Sequence, residues 1–205
     1  HKMRYLLLLL IINVHFSYGQ LVINEFMASN SDSYFDEFGE DNDWVEIYNM
    51  SNTSIDMGGM YFTDDLIDGT LHKIPDNETN ITTIEPGGFL VFWFDKDITQ
   101  GSLHVDCKLS SAGEQIGLFA ADGATIIDSL TFPEQETNIS FGRVNDGDNN
   151  WVYFTTPTPN SSNNTVSYSG FIEDEPIFSL FGGFYNSPVK IWIDNDIEGT
   201  IHYTI

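Results

Sequence analysis

Between residues 36 and 43 the chain reads Asp-Glu-Phe-Gly-Glu-Asp-Asn-Asp, which places five carboxylates and an amide within eight residues. Hard cations need several oxygen ligands converging from a short loop, and calcium is the ion this composition suits. Crowded carboxylates repel one another unless a cation or water stands between them. The candidate ligands are Asp36, Glu40, Asp41 and Asp43, with Asn24 and Glu25 on the preceding segment able to lie alongside. The competing reading is a solvated acidic loop that holds no ion.

Other constellations offer less. Asp146, Asp148 and Asn150 share the alternate spacing of a calcium loop, but its sixth position is Trp151 where Gly is required and its twelfth is Pro157 where Glu is required, which excludes an EF-hand. Asp194, Asp196, Glu198 and Gly199 read as a hairpin turn. His72, His104 and His202 stand on separate segments without metal-ligand spacing, and no Gly-x-Ser-x-Gly elbow occurs. Met57-Gly58-Gly59 and Phe181-Gly182-Gly183-Phe184 lack the Lys-Ser or Lys-Thr of a phosphate-binding loop. With so many Asp and Glu, paired carboxylates arise by chance and do not argue for a glycosidase. Cys107 is the single cysteine, so no intrachain disulfide forms, and it reads as a small buried hydrophobe. No catalytic or cofactor-binding residue is assigned.

The elements that must position these residues are strands. Asp41 to Asn49, DNDWVEIYN, runs an acidic turn into a β-branched and aromatic run, and Glu46 within it is expected on the solvated face, with a buried, hydrogen-bonded carboxylate as the alternative. Eight further runs share this character: LVINEF, MYFTDD, FLVFWF, HVDCKL, QIGLFA, TIIDSLTF, NISFGRV and WVYFT. Between them fall turn signals such as Met57-Gly58-Gly59, Pro86-Gly87-Gly88 and Asn145-Asp146-Gly147-Asp148. Asp122-Gly123 marks a hairpin between QIGLFA and TIIDSLTF. No stretch carries a sustained helical period, so the fold class is all-β, an antiparallel sandwich.

Residues 1–19 read as a secretory signal peptide: Arg4, the apolar run Tyr5 to Val14, and Ser17-Tyr18-Gly19 before Gln20. That run is too short for a comfortable membrane span, and no later segment is a candidate. The sandwich is expected over 20–154. A Thr, Ser, Asn and Pro-rich linker follows over 155–175, and a truncated second β module over 176–205, continuing past Ile205. The 205 residues carry 7 Lys and Arg against 31 Asp and Glu, a formal charge of −24. Such a surface repels phosphates, which argues against a nucleic-acid partner. Trp44, Tyr61, Trp93 and Trp151 are the aromatics available for ligand contact.

At DWVEIYN the chain resembles the bacterial, secreted form of the lamin tail domain. Further segments match that pattern in order: Ile23-Asn24-Glu25, Asp56 to Tyr61 with Thr63-Asp64, Pro86 to Val91, and LSSAGEQIGL from Leu109 to Leu118. Asp122-Gly123, Ser140-Phe141-Gly142-Arg143, Trp151 and Thr156-Pro157-Thr158-Pro159 complete it. The resemblance implies an immunoglobulin-like β-sandwich. Residues from Pro176, PIFSLFGGFYNSPVKIWI and GTIHYTI, resemble the C-terminal module of chitobiase and β-hexosaminidase, without the Asp-Gly turn usual after its Tyr-Thr strand. Together they imply a secreted or cell-surface, non-catalytic binding or adhesion module with a protein or glycan ligand. The alternative is an accessory carbohydrate-binding region of a secreted kinase-like or hydrolytic enzyme whose catalytic domain lies outside this sequence.

Overall fold

A computed structural model of the chain describes residues 20–170, 177–178, 186–188, 190 and 192–194. The expected signal peptide, 1–19, and most of the expected second module, 176–205, lie outside the described residues. The chain divides into two compact units, residues 1–167 and 168–205.

In the first unit, strands β1 (Leu21–Met27), β2 (Trp44–Asn49), β3 (Ile55–Asp56), β4 (Tyr61–Thr63) and β5 (His72–Lys73) are followed by a single helical turn, α1 (Thr79–Thr82). Then come β6 (Thr83–Ile84), β7 (Phe89–Trp93), β8 (Glu114–Phe119), β9 (Ile126–Phe132), β10 (Ser140–Arg143) and β11 (Trp151–Phe154), while β12 (Ser167–Tyr168) straddles the unit boundary. One antiparallel sheet holds β11-β10-β1-β2-β7 and a second holds β5-β4-β8-β9, with β3 and β6 paired apart. The fold is thus an immunoglobulin-like β-sandwich. In the second unit, β13 (Ile177–Phe178) pairs antiparallel with β14 (Ile193–Asp194).

The core fills the gap between the two sheets, because each strand turns its apolar side chains to the facing layer. Ile23, Phe26, Val45, Ile47 and Phe92 from the first sheet meet Phe62, Ile116, Leu118 and Phe132 from the second. Phe62 stands edge-on to Phe92 and Phe94 at centroid distances of 4.8 and 5.3 Å, and Phe26 lies 4.6 Å from Phe132. The Asp122-Gly123 turn joins β8 to β9 as expected, with Gly123 at φ +66° and Asp122 Oδ1 accepting from the Ala124 and Thr125 amides.

One expected strand is absent. HVDCKL buries Val105 and Cys107 in strand-like alternation, yet His104 and Lys108 make only isolated bridges to Trp93 and Asp95. Its backbone is tied locally to the end of β7, through Trp93 N to Leu103 O, Val105 N to Trp93 O and Lys96 N to Val105 O. The segment therefore wraps the end of a strand and never forms a ladder of its own.

Since Phe62 is fully buried between two aromatic neighbours, Phe62→Ala is expected to lower unfolding free energy by about 3–5 kcal/mol. Ile67→Ala, at a side chain 95% exposed, is expected to change it by less than about 0.5 kcal/mol. Chemical denaturation of the two variants checks both values, and equal effects would contradict the assigned core.

Candidate functional site

Two polar constellations stand out, and both lie on the elements around β1 and β2. The first begins with a β-bulge. β1 and β2 pair Ile23 with Ile47 and then Glu25 with Glu46, so Asn24 is an extra residue on β1. The bulge keeps Ile23 and Phe26 in the core while Glu25 comes directly opposite Glu46. Two like charges placed across a strand pair repel each other, and both of these are fully buried. Glu46 is therefore not on a solvated face as expected. The outer face of the sheet is covered: Trp44 packs there with Met27, Val91, Trp93 and Tyr34, and Glu46 lies beneath chain from the Pro-rich segment.

That cover is the stretch read from composition as linker. Thr158 donates its amide and its hydroxyl to Glu25, and the Asn160 amide reaches Glu46 Oε2 at 2.6 Å. Asn163 is buried, its Nδ2 donating to Arg143 O at 2.7 Å and its amide to Asp146 Oδ1 at 2.9 Å. Asn24 closes the group, donating from Nδ2 to Glu46 and Asp146 while its Oδ1 accepts from the Gly147 amide. Residues 158–163 therefore carry the donors the carboxylates need, and composition hid this because each donor is a small polar residue or a main-chain amide.

The Ser140 to Arg143 run completes the support. Ser140 Oγ donates to Glu25 in a short hydrogen bond. Gly142 leaves the space that Glu25 and Asn163 occupy: a Cβ there would stand 3.0 Å from Glu25 Cγ and 3.1 Å from Asn163 Nδ2. Arg143 donates from Nε to Ile23 O and pairs with Asp128 at 2.8 Å, its guanidinium lying 5.0 Å from the Trp151 ring. Burial, opposed only in part by these donors, pushes Glu46 up to about 8, with Glu25 and Asp146 adding repulsion. Glu25 is also raised by burial, despite accepting from Ser140 and Thr158.

The second constellation involves the acidic loop. The four candidate ligands do not converge on one another. Asp36 Oδ1 accepts from the Phe38 and Glu40 amides, Asp41 from the Asp32 amide, and Asp43 from the Asn30 amide. Glu40 accepts from Gln100 Nε2. Asp36 thus closes its own turn, because a short acidic side chain satisfies nearby backbone amides, while Asp41, Asp43 and Glu40 are engaged by donors from elsewhere in the chain. Burial pushes Asp43 up to about 6. Asp36 instead joins Asp95 and His104, and these three offer ligating atoms all within 4.8 Å of one another. Sequence spacing concealed this group because His104 stands 68 positions from Asp36; the only signal was the buried alternation of HVDCKL.

The remaining candidates are structural. Trp44 and Trp93 are buried, so they do not offer ligand contacts, whereas Tyr61 and Trp151 are half-buried. Cys107 is interior, and burial pushes its thiol up to about 12. His72 accepts from the Asp106 amide, and burial lowers its basicity. Asp148 caps its own turn by accepting from the Asn149 and Asn150 amides. No helix among the described residues is long and apolar enough to cross a membrane.

A family model described as the lamin tail domain matches residues 15–134. No curated protein and no solved structure matches the chain. The matched span stops short of β10, although β10 pairs with β1 inside the sheet.

A carboxyl whose folded pKa lies above its unfolded value stabilises the fold most at low pH, and that stability is lost as pH rises through the folded value. For Glu46 the window runs from 4.5 to about 8. Thermal unfolding midpoints are expected to fall across it, a loss on the order of a few kcal/mol, and Glu46→Gln is expected to flatten the fall. Identical pH slopes in the variant and the parent chain would show that Glu46 is not the group responsible.

Proposed function

Because the chain belongs to the lamin tail domain family, an immunoglobulin-like and typically non-catalytic module, we propose that it is a binding or adhesion module at the N-terminal end of a larger secreted or cell-surface bacterial protein. The observation that carries this reading is the enclosure of Glu25, Glu46, Ser140 and Thr158. Here carboxylates and hydroxyls converge as an enzyme would need, yet they are buried and saturated by the chain's own donors. A general acid or base must reach a substrate proton, and these groups reach the chain's own Asn24, Ser140, Thr158, Asn160 and Asn163 instead. The formal charge of −24 favours a basic protein surface as partner and disfavours nucleic acid. The leader-like residues 1–19 support export.

A second reading draws on Trp192, which is 66% exposed with the Lys190 ammonium 5.6 Å from its ring centroid. Exposed indole faces stack on sugar rings, which fits an accessory carbohydrate-binding role for the chitobiase-like residues 176–205 beside a kinase-like or hydrolytic domain.

Passing the full chain over chitin, cellulose and an immobilised basic protein separates the two. The first reading expects retention on the basic protein alone, weakening as salt approaches about 1 M, where the screening length falls to about 3 Å. Retention on chitin that disappears in Trp192→Ala would instead establish the glycan reading.

A further inference from the structure

The Asp36, Asp95 and His104 group lies where the loop between β1 and β2 meets the segment after β7. Asp36 is 9% exposed and is held by a tight turn in which its main chain and Oδ1 are both engaged, by Glu40 O, the Gly39 amide and the Phe38 and Glu40 amides. Its second oxygen, Oδ2, is buried with no hydrogen-bond partner. His104 is 1% exposed; Nδ1 lies 2.6 Å from Asp95 Oδ2, and the Phe38 ring stands edge-on at 5.9 Å. Its Nε2 is likewise buried without a hydrogen bond, with Glu37 Oε1 3.5 Å away and outside bonding geometry. Asp95, its side chain 1% exposed, is fixed further by the Asp97 amide on Oδ1.

Buried polar atoms in folded proteins almost always have partners, and an orphaned one costs about 1–3 kcal/mol. Here two of three adjacent side chains each present one. The charge balance has the same defect. Two buried carboxylates face one imidazole, with Glu37 beside it, and among the described residues no Lys or Arg pairs with any of them. A dication supplies both missing quantities, positive charge and an acceptor for the free lone pairs.

The donor types select the ion. An imidazole nitrogen with carboxylate oxygens suits zinc and its first-row neighbours, whereas calcium takes oxygen ligands alone. Zinc sits about 2.0–2.2 Å from such donors, so two of them on opposite sides of one ion are about 4 Å apart. The observed spread, within 4.8 Å, needs only small side-chain movements.

We propose that Asp36 Oδ2 and His104 Nε2 bind a divalent transition-metal ion of the zinc class, with Asp95 held on His104 Nδ1. The Asp95 carboxylate fixes the imidazole ring, the turn at residues 36–40 presents Asp36, and the remaining coordination positions hold water. The site departs from the calcium loop expected of Asp36, Glu40, Asp41 and Asp43: it retains one of those residues and recruits two from a distant segment.

The test is equilibrium dialysis of the full chain, stripped with chelator, against zinc and calcium chloride, followed by metal analysis. One zinc per chain is expected, with calcium unable to displace it. His104→Gln and Asp36→Asn are each expected to weaken zinc binding by at least about tenfold, while His72→Gln leaves it unchanged. No zinc uptake, undiminished uptake in His104→Gln, or loss of uptake in His72→Gln would overturn the assignment. Should His104→Gln fail to fold, histidine-selective NMR of the unaltered chain decides. A zinc-induced shift of the His104 ring supports the site, and shifts confined to other histidines overturn it.

Discussion

Two carboxylates facing each other across the middle of a sheet cannot be left without donors, and the architecture of the first unit answers that requirement. Glu25 and Glu46 are paired in register and buried. Their donors come from three separate parts of the chain: Asn24 on the bulge, Ser140 on β10, and Thr158 and Asn160 after β11. Remove any one of these and a charge or a lone pair is stranded in the interior, where it costs far more than at a surface. The carboxylates therefore specify where the segment after β11 must lie, a specificity that an apolar pair would not supply.

The same logic explains which parts of the molecule were legible in the sequence. Strands and turns were, because aromatic and β-branched runs alternate with Gly, Asp and Asn punctuation, and Asp122-Gly123 sits where the hairpin turns. The segments that carry the family resemblance were legible as a pattern but not as a cause: Asn24-Glu25, Glu46, Ser140 to Arg143 and Thr158 prove to be members of one hydrogen-bonded group. Glu46 was misplaced because period-two alternation tells which face a side chain takes, not whether that face is wet. The stretch 158–163 was misread for a related reason. Thr and Asn have little apolar surface to bury, so composition marks them as solvent-loving even where they serve as donors to a buried carboxyl group.

The acidic loop shows the opposite failure. Its density of carboxylates suggested a self-contained ligand set, whereas each of those groups is engaged separately, Asp36 in its own turn and Glu40, Asp41 and Asp43 by donors from elsewhere in the chain. The chemistry on offer belongs to Asp36 with Asp95 and His104, brought together because residues 103–108 fold back against the end of β7 instead of forming a strand. Contacts of that kind depend on tertiary packing and leave no local spacing to read.

The position of β1 carries a consequence for synthesis. As the earliest strand among the described residues, it lies between β10 and β2, and its buried Glu25 waits for Ser140 and Thr158, more than a hundred residues later. Closing a loop of that length precedes any reward from the contacts it permits. The nascent chain therefore remains without its finished centre until nearly the whole first unit has left the ribosome, a delay written into the order of the strands.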